Sequence, residues 1–258
     1  MARGKLTRLA ALWVVICTAM AATNSLHADD TGLIVSAAVE KKFNKKASAE
    51  FEAEFRSRND FRTVDRLAFS LSGEYKLNSW LKASVGYQLI INNNVENISF
   101  NLDDDGTVLG YNNWRPSYWG TRHRGNVALT ASYKWRRVSF SLREAYRYTY
   151  RPQTTTTRYD FDNGWWEDTD VRSTHRHMLR SRLKAQWDIP KCKFTPWVSF
   201  EVFNDFSFDK LRMQAGVDYS LTKKHSLGGY YRYQYVRAGE EDDEPNAHYL
   251  GLSYKFKF

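Results

Sequence analysis

Beyond residue 28 the chain alternates apolar and polar residues with a period of two almost to its end. Leu33, Val35, Ala37 and Val39 alternate with Ile34, Ser36, Ala38 and Glu40. Ala47, Ala49, Phe51, Ala53 and Phe55 alternate with Ser48, Glu50, Glu52, Glu54 and Arg56. The same beat recurs at Leu67–Tyr75, Leu81–Ile91, Val127–Trp135, Val138–Arg147, Leu179–Trp187, Pro196–Val202, Leu211–Leu221 and Leu227–Tyr235. It closes on Leu250, Leu252, Tyr254, Phe256 and Phe258, set against Gly251, Ser253, Lys255 and Lys257. A strand turns successive side chains to opposite faces, so each segment predicts a strand with one greasy and one polar side. No helical period is found after the first 28 residues, and the predicted class is all-β.

Alternation suits a soluble sandwich as well as a membrane barrel, since both keep one wet face per strand. Three features favour the barrel. The segments run to about 10 residues or more, where soluble strands average about 5–6 and a tilted membrane crossing needs about 9–11. The connections alternate in length: Asn44–Lys46, Asn78–Ser79, Arg136–Arg137, Ile189–Lys193 and Thr222–His225 are short, while Asn92–Arg122 and Arg151–Arg172 are long and polar. Short turns on one rim and long loops on the other are the outer-membrane arrangement. Aromatic residues also crowd the segment ends, among them Tyr75, Trp80, Tyr133, Trp135, Tyr146, Tyr148, Tyr150, Trp187, Tyr219 and Tyr230, as in the girdles at membrane interfaces. The expected architecture is a transmembrane antiparallel up-and-down β-barrel of about 10–12 strands. Eleven segments can be counted, whereas single-chain bacterial barrels have an even number. A hairpin about Asp103-Asp104-Asp105-Gly106 adds two strands, either in the wall or above the membrane, and leaves the parity odd.

The first 28 residues read as a secretory signal peptide. Arg3, Lys5 and Arg8 precede an uncharged apolar run from Leu9 to Ala22, and Ser25-Leu26-His27-Ala28 offers a cleavage site, with Ala19-Met20-Ala21 as a second. Cys17 suggests a lipoprotein signal, but Ile16 is bulky where such signals carry a small residue. The barrel domain is then residues 29–258. Removing the signal takes three positive charges from the formal +9; the rest is a mixture with many acids, which argues against nucleic acid as a partner. Cys192 is the only cysteine left, so no intramolecular disulfide is available.

Particular residues carry a family resemblance: Gly86-Tyr87-Gln88, His123-Arg124, Tyr146-Arg147-Tyr148, Arg212 followed by Gly216 and Tyr219, Tyr230-Tyr231-Arg232 and the ending from His248 to Phe258. The pattern resembles the bacterial outer-membrane barrels grouped as domain of unknown function 2490. The resemblance implies fold and location over nearly all of the mature chain, and it brings no assigned reaction or ligand.

With the apolar face in lipid, the polar face lines the interior. It carries Glu50, Glu52, Glu54, Arg66, Glu74, Lys82, Arg143, Arg147, Arg180, Arg182, Glu201, Arg212, Asp218 and Arg232. The acids sit mostly on early segments and the bases on later ones, so pairs across the lumen would plug the barrel, while unpaired rings would set the selectivity of a narrow passage. A wide channel is not expected, because barrels of about this size fill with side chains. The loop aromatics Trp114, Tyr118, Trp119, Trp165 and Trp166 either pack as a lid or offer ligand contacts. His175 and His177 share a strand face, with His123 on the same rim, but a third metal ligand is not placed and no metal or cofactor is predicted. Glu240–Glu244 is an acidic loop tip, read as solvated or as a cation bridge to lipopolysaccharide. Ser173 near His175 and His225-Ser226 fall in no hydrolase signature, so no catalytic residue is named.

These observations predict an exported outer-membrane barrel of a Gram-negative bacterium, structural or a narrow passive pore, with a charged and largely occluded lumen. Its expected partners are outer-membrane lipids, lipopolysaccharide and, through the final strand, the barrel-assembly machinery. The rival readings are a lipid-modifying or protease-like barrel enzyme and a surface-ligand receptor using the aromatic loops.

Overall fold

The computed structural model describes residues 29–205, 207–237 and 245–258, so the signal segment and the acidic tip Glu240–Glu244 lie outside the described residues. The strands are β1 (Asp30–Lys42), β2 (Ala47–Arg58), β3 (Thr63–Lys76), β4 (Leu81–Asn94), β5 (Asn97–Leu102), β6 (Val108–Arg115), β7 (Tyr118–Trp135) and β8 (Val138–Arg151). They continue with β9 (Thr154–Asp160), β10 (Trp165–Val171), β11 (Thr174–Trp187), β12 (Phe194–Asp205), β13 (Ser207–Ser220), β14 (His225–Val236) and β15 (Ala247–Lys257). No helix occurs among the described residues.

Every period-two segment of the sequence is a wall strand. The barrel closes in the order β1-β15-β14-β13-β12-β11-β8-β7-β4-β3-β2, and its strands are 11 to 18 residues long. The described wall has eleven strands, the number counted along the sequence and within the expected 10–12. All neighbours are antiparallel except β1 and β15, which pair in parallel from Asp30↔Ala247 to Glu40↔Lys257. Alternating directions around an odd ring force one parallel seam. The hairpin β5–β6 lies outside the wall and joins the hairpin β9–β10, which the sequence reading left as loop, in a four-stranded sheet of order β10-β9-β6-β5.

The two rims differ in construction. In the turns β1–β2 and β3–β4 the Oδ1 atoms of Asn44 and Asn78 each accept two backbone N–H groups, from Lys46 and Ala47 and from Trp80 and Leu81, at 2.7–2.9 Å. Thr222 does the same in β13–β14 through its hydroxyl, at 3.1 Å. Side chains that cap their own turn make short connections self-sufficient. Two β-bulges near the opposite rim each insert an aspartate. Asp65 sits between the pairs Arg56↔Arg66 and Ser57↔Val64, and Asp209 between Phe203↔Lys210 and Asn204↔Phe208. Each accepts from an inward arginine, Arg56 Nε at 2.5 Å and Arg176 at 2.8 Å, so the extra residue is pinned by charge as well as by backbone.

The outward face is apolar, as a hydrocarbon-facing surface must be: Phe51, Phe69, Leu71, Val85, Val127, Leu129, Leu183, Leu250 and Leu252 are all well exposed there. Toward the long-connection rim it becomes aromatic and polar. Tyr87 is hydrogen-bonded to Nδ1 of His123 at 2.7 Å, Tyr146 to His177 at 2.6 Å, Tyr148 to His175 at 2.5 Å, and Tyr231 to His248. An amphipathic ring with its polar edge satisfied fits the interface level. Tyr230 departs from the girdle expectation, because it points inward. Two glycines make room for it: a Cβ on Gly216 would meet Tyr230 Cβ at 2.6 Å and Trp197 at 2.8 Å, and one on Gly251 would clash with three carbons of the Tyr230 ring at 2.1–2.3 Å. Glu144 departs in the other direction. It stands on the outward face and accepts from the Ser181 hydroxyl at 2.6 Å.

Two outcomes test this arrangement. Val127→Arg places a guanidinium on the outward face of β7 near mid-strand and should lower folding stability by about 2–4 kcal/mol, read by urea unfolding in detergent or lipid. Gly251→Val should cost about 1–3 kcal/mol through overpacking against Tyr230, whereas the outward change Leu252→Val should cost less.

Candidate functional site in the barrel interior

The polar face of every wall strand turns into the barrel, and its two ends are filled differently. Toward the long-connection rim many inward side chains are buried. Ile34, Ala247 and Tyr249 form an apolar knot with Tyr230 against it, and the Arg56 guanidinium lies over the Tyr249 ring at 5.3 Å. Arg66 donates to Asn92 at 3.0 Å, and Arg122 to Asn94 at 3.3 Å. Apart from the half-buried Tyr230, these side chains, with Gln234, Lys210 and Asp209, are all buried.

The waist lies just below these residues. Phe203 of β12 is 1% exposed although it points into the polar interior. Cations surround its ring: Arg212 at 4.7 Å, Arg180 at 5.4 Å, Lys210 at 5.5 Å and Arg147 at 5.6 Å from the centroid. A desolvated ring can hold positive charge over its face, so this apolar residue is electrostatically matched to its surroundings. Beneath it Glu201, 1% exposed, pairs with Arg180 of the neighbouring strand, and Arg212 donates to Gln234 at 2.8 Å. The sequence reading placed Glu201, Arg180 and Arg212 inside but missed Phe203, whose only signal was an apolar residue on the polar parity of β12.

Below the waist the interior opens into a basin of about 1060 Å³ at the short-turn rim. It is bounded by ten lysines and arginines, three glutamates and seven serine or threonine hydroxyls. All three glutamates are taken: Glu40 and Glu50 both bind Lys255, and Glu74 binds Lys82 at 2.8 Å.

The expected residues are thus inside, but they do not neutralise one another across the lumen as a plug of opposed pairs would. Among the described residues, each ion pair between wall strands joins strands at most two apart in the ring. Glu52 and Glu54 of β2 make no ion pair among the described residues, and the same holds for Arg143, Arg147, Arg182, Arg232 and Asp218. β2 lies five strands from both β11 and β12, so an acidic wall faces a basic one across the barrel.

The loop aromatics are only partly assembled. Trp114 and Trp166 meet at 5.5 Å between centroids, with Tyr159 at 5.4 Å from Trp166, and Trp114 donates to Glu96 at 3.1 Å. Trp165 is exposed on β10, and Trp119 is corrected from a loop to the outward face of β7, as Tyr118 is to the start of that strand. In the β9–β10 turn the Asn163 side chain, with its backbone N–H, holds the Asp160 carboxyl below the usual carboxylate range. His123, His175 and His177 face outward, each with Nδ1 on a tyrosine, and no group of three or more metal-ligating side chains is found among the described residues. His225 is likewise bonded to Tyr254 at 2.7 Å and not to a serine.

No curated protein matches the chain. Among solved structures, the beta domain of the Bordetella autotransporter Brka is 14% identical with a TM-score of 0.47, covering 81% of this chain and 79% of that one. The NanC porin is 14% identical with a TM-score of 0.44, covering 87% and 95%. The CymD monoaromatic hydrocarbon channel is 9% identical with a TM-score of 0.41, covering 80% and 82%. Residues 31–244 match the family described as Protein of unknown function (DUF2490), and to that family the chain belongs.

Proposed function

We propose that the protein is an outer-membrane β-barrel of a Gram-negative bacterium whose charged lumen is largely occluded, a structural barrel or at most a narrow passive pore. The apolar outward band requires hydrocarbon, and among bacterial membranes the outer one holds barrels of this kind. Short turns then face the periplasm and the β5–β6 and β9–β10 hairpins the exterior. The His–Tyr pairs near the outer rim would meet lipopolysaccharide, and the outward Leu250, Leu252, Tyr254 and Phe256 of β15 would be read by the assembly machinery. The observation that supports occlusion best is the buried cation-ringed Phe203 and the packed layer above it.

Two measurements bear on this. In planar bilayers the native chain should give steps far smaller than a wide-bore porin, and Phe203→Ala should enlarge them; large steady conductance in the native chain would overturn occlusion. Glu201→Ala leaves the half-buried Arg180 without its carboxylate and should cost about 3 kcal/mol in urea unfolding, most of it recovered when Arg180→Met is added.

A further inference from the structure

We infer that the basin at the short-turn rim is a binding site for a small soluble polyanion, a molecule bearing two or more phosphate or carboxylate groups. The inference rests on the occluded-lumen reading, which makes the basin a blind cup open to one side.

Arg143 of β8 and Arg182 of β11 are directly paired residues whose side chains both enter the barrel. Like charges directly opposite on neighbouring strands destabilise a sheet. No carboxylate lies within ion-pair distance of either among the described residues, and the Nε of each is a buried donor without an acceptor. Among the described residues, the one hydrogen-bond acceptor of Arg143 is the Ser84 hydroxyl, at 3.4 Å. Lys184, the next inward residue of β11, is held 4.3 Å from the centre of the Trp197 ring, with no carboxylate within ion-pair distance among the described residues. With Glu40, Glu50 and Glu74 committed to Lys255 and Lys82, eight of the ten basin cations make no ion pair among the described residues. Such a field inside low-dielectric walls concentrates anions. The remaining wall suits the same ligand: Ser72, Ser84, Thr130, Ser139 and Ser141 supply neutral donors beside the guanidinium groups. Guanidinium forks and hydroxyls together are the donor set for phosphate and carboxylate oxygens.

The test titrates inorganic pyrophosphate into the purified full-length barrel in zwitterionic detergent, followed by calorimetry, with sodium chloride of matched ionic strength as baseline. Saturable binding of one pyrophosphate is expected, weakened about tenfold or more in Arg143→Gln/Arg182→Gln. Lys134→Gln, which removes an exposed lysine paired with Asp188 at 3.2 Å, should leave it unchanged. A pyrophosphate-induced rise in the native protein's thermal midpoint, absent in the double variant, provides a second readout that does not depend on calorimetric quality. Heat-modified migration on gels confirms that each variant is folded. No saturable binding, or equal affinity in the double variant, overturns the inference. A chain that conducts freely yet binds pyrophosphate would overturn occlusion and leave this site standing, whereas a closed chain that binds nothing does the reverse.

Discussion

Backbone polar groups in hydrocarbon must all be paired, and that constraint organises this molecule. A sheet of alternating hairpins meets it only by closing on itself. With eleven strands the first and last run the same way, so closure needs a parallel ladder between β1 and β15. Two further bonds bind the seam at the short-turn rim, from Lys42 N to Phe258 O at 3.2 Å and from Phe258 N to Glu40 O at 3.0 Å. Parallel pairing is slightly weaker per residue than antiparallel, so the seam is where extra support is most useful. The packing supplies it there: Ile34 of β1 and Tyr249 of β15 form the apolar knot, and Lys255 of β15 ties Glu40 of β1 to Glu50 of β2.

Closure also explains the unequal filling of the interior. The bulges at Asp65 and Asp209 sit near one rim, and each adds an aspartate that binds an inward arginine. Long side chains are thereby fixed in that half and pack as a layer. The short-turn half has no bulge; its interior positions are largely serine, threonine and lysine, which leave volume unfilled and charge uncompensated.

How much of this could be read from residue order depends on how local each determinant is. The inward or outward side of a strand follows from parity alone, so the eleven wall segments and the placement of Glu50, Glu52, Glu54, Arg143, Arg180, Arg182, Glu201 and Arg232 were legible. The parity of the ring was counted correctly but judged against a rule of even number, because the direction of the closing pair is a property of the whole circle. Phe203 and Tyr230 were illegible as interior residues: an aromatic ring signals lipid or interface unless the cations or glycines that receive it are known, and these lie on other strands. Glu144 and Ser181 compensate each other on the outward face by the same kind of non-local pairing, Glu144↔Ser181 across β8 and β11. The β9–β10 hairpin was hidden because Thr154–Thr157 and Trp165–Val171 carry no clean apolar alternation.

The charge distribution inside is the least expected consequence. Acids early and bases late in the chain invite the idea of mutual neutralisation, yet the ring order sets β2 five strands from β11 by one way round and five from β12 by the other. At that separation the walls face each other without contact, and each must find its compensation nearby. On the basic wall Arg180 has Glu201 and the rings of Phe203 and Trp197 accept cations, but Arg143 and Arg182, side by side, have neither. A folded chain tolerates adjacent guanidiniums in a low-dielectric cup when mobile anions are drawn in to balance them, so the segregation that keeps the lumen from neutralising itself is also what gives its open end a preference for negative ligands.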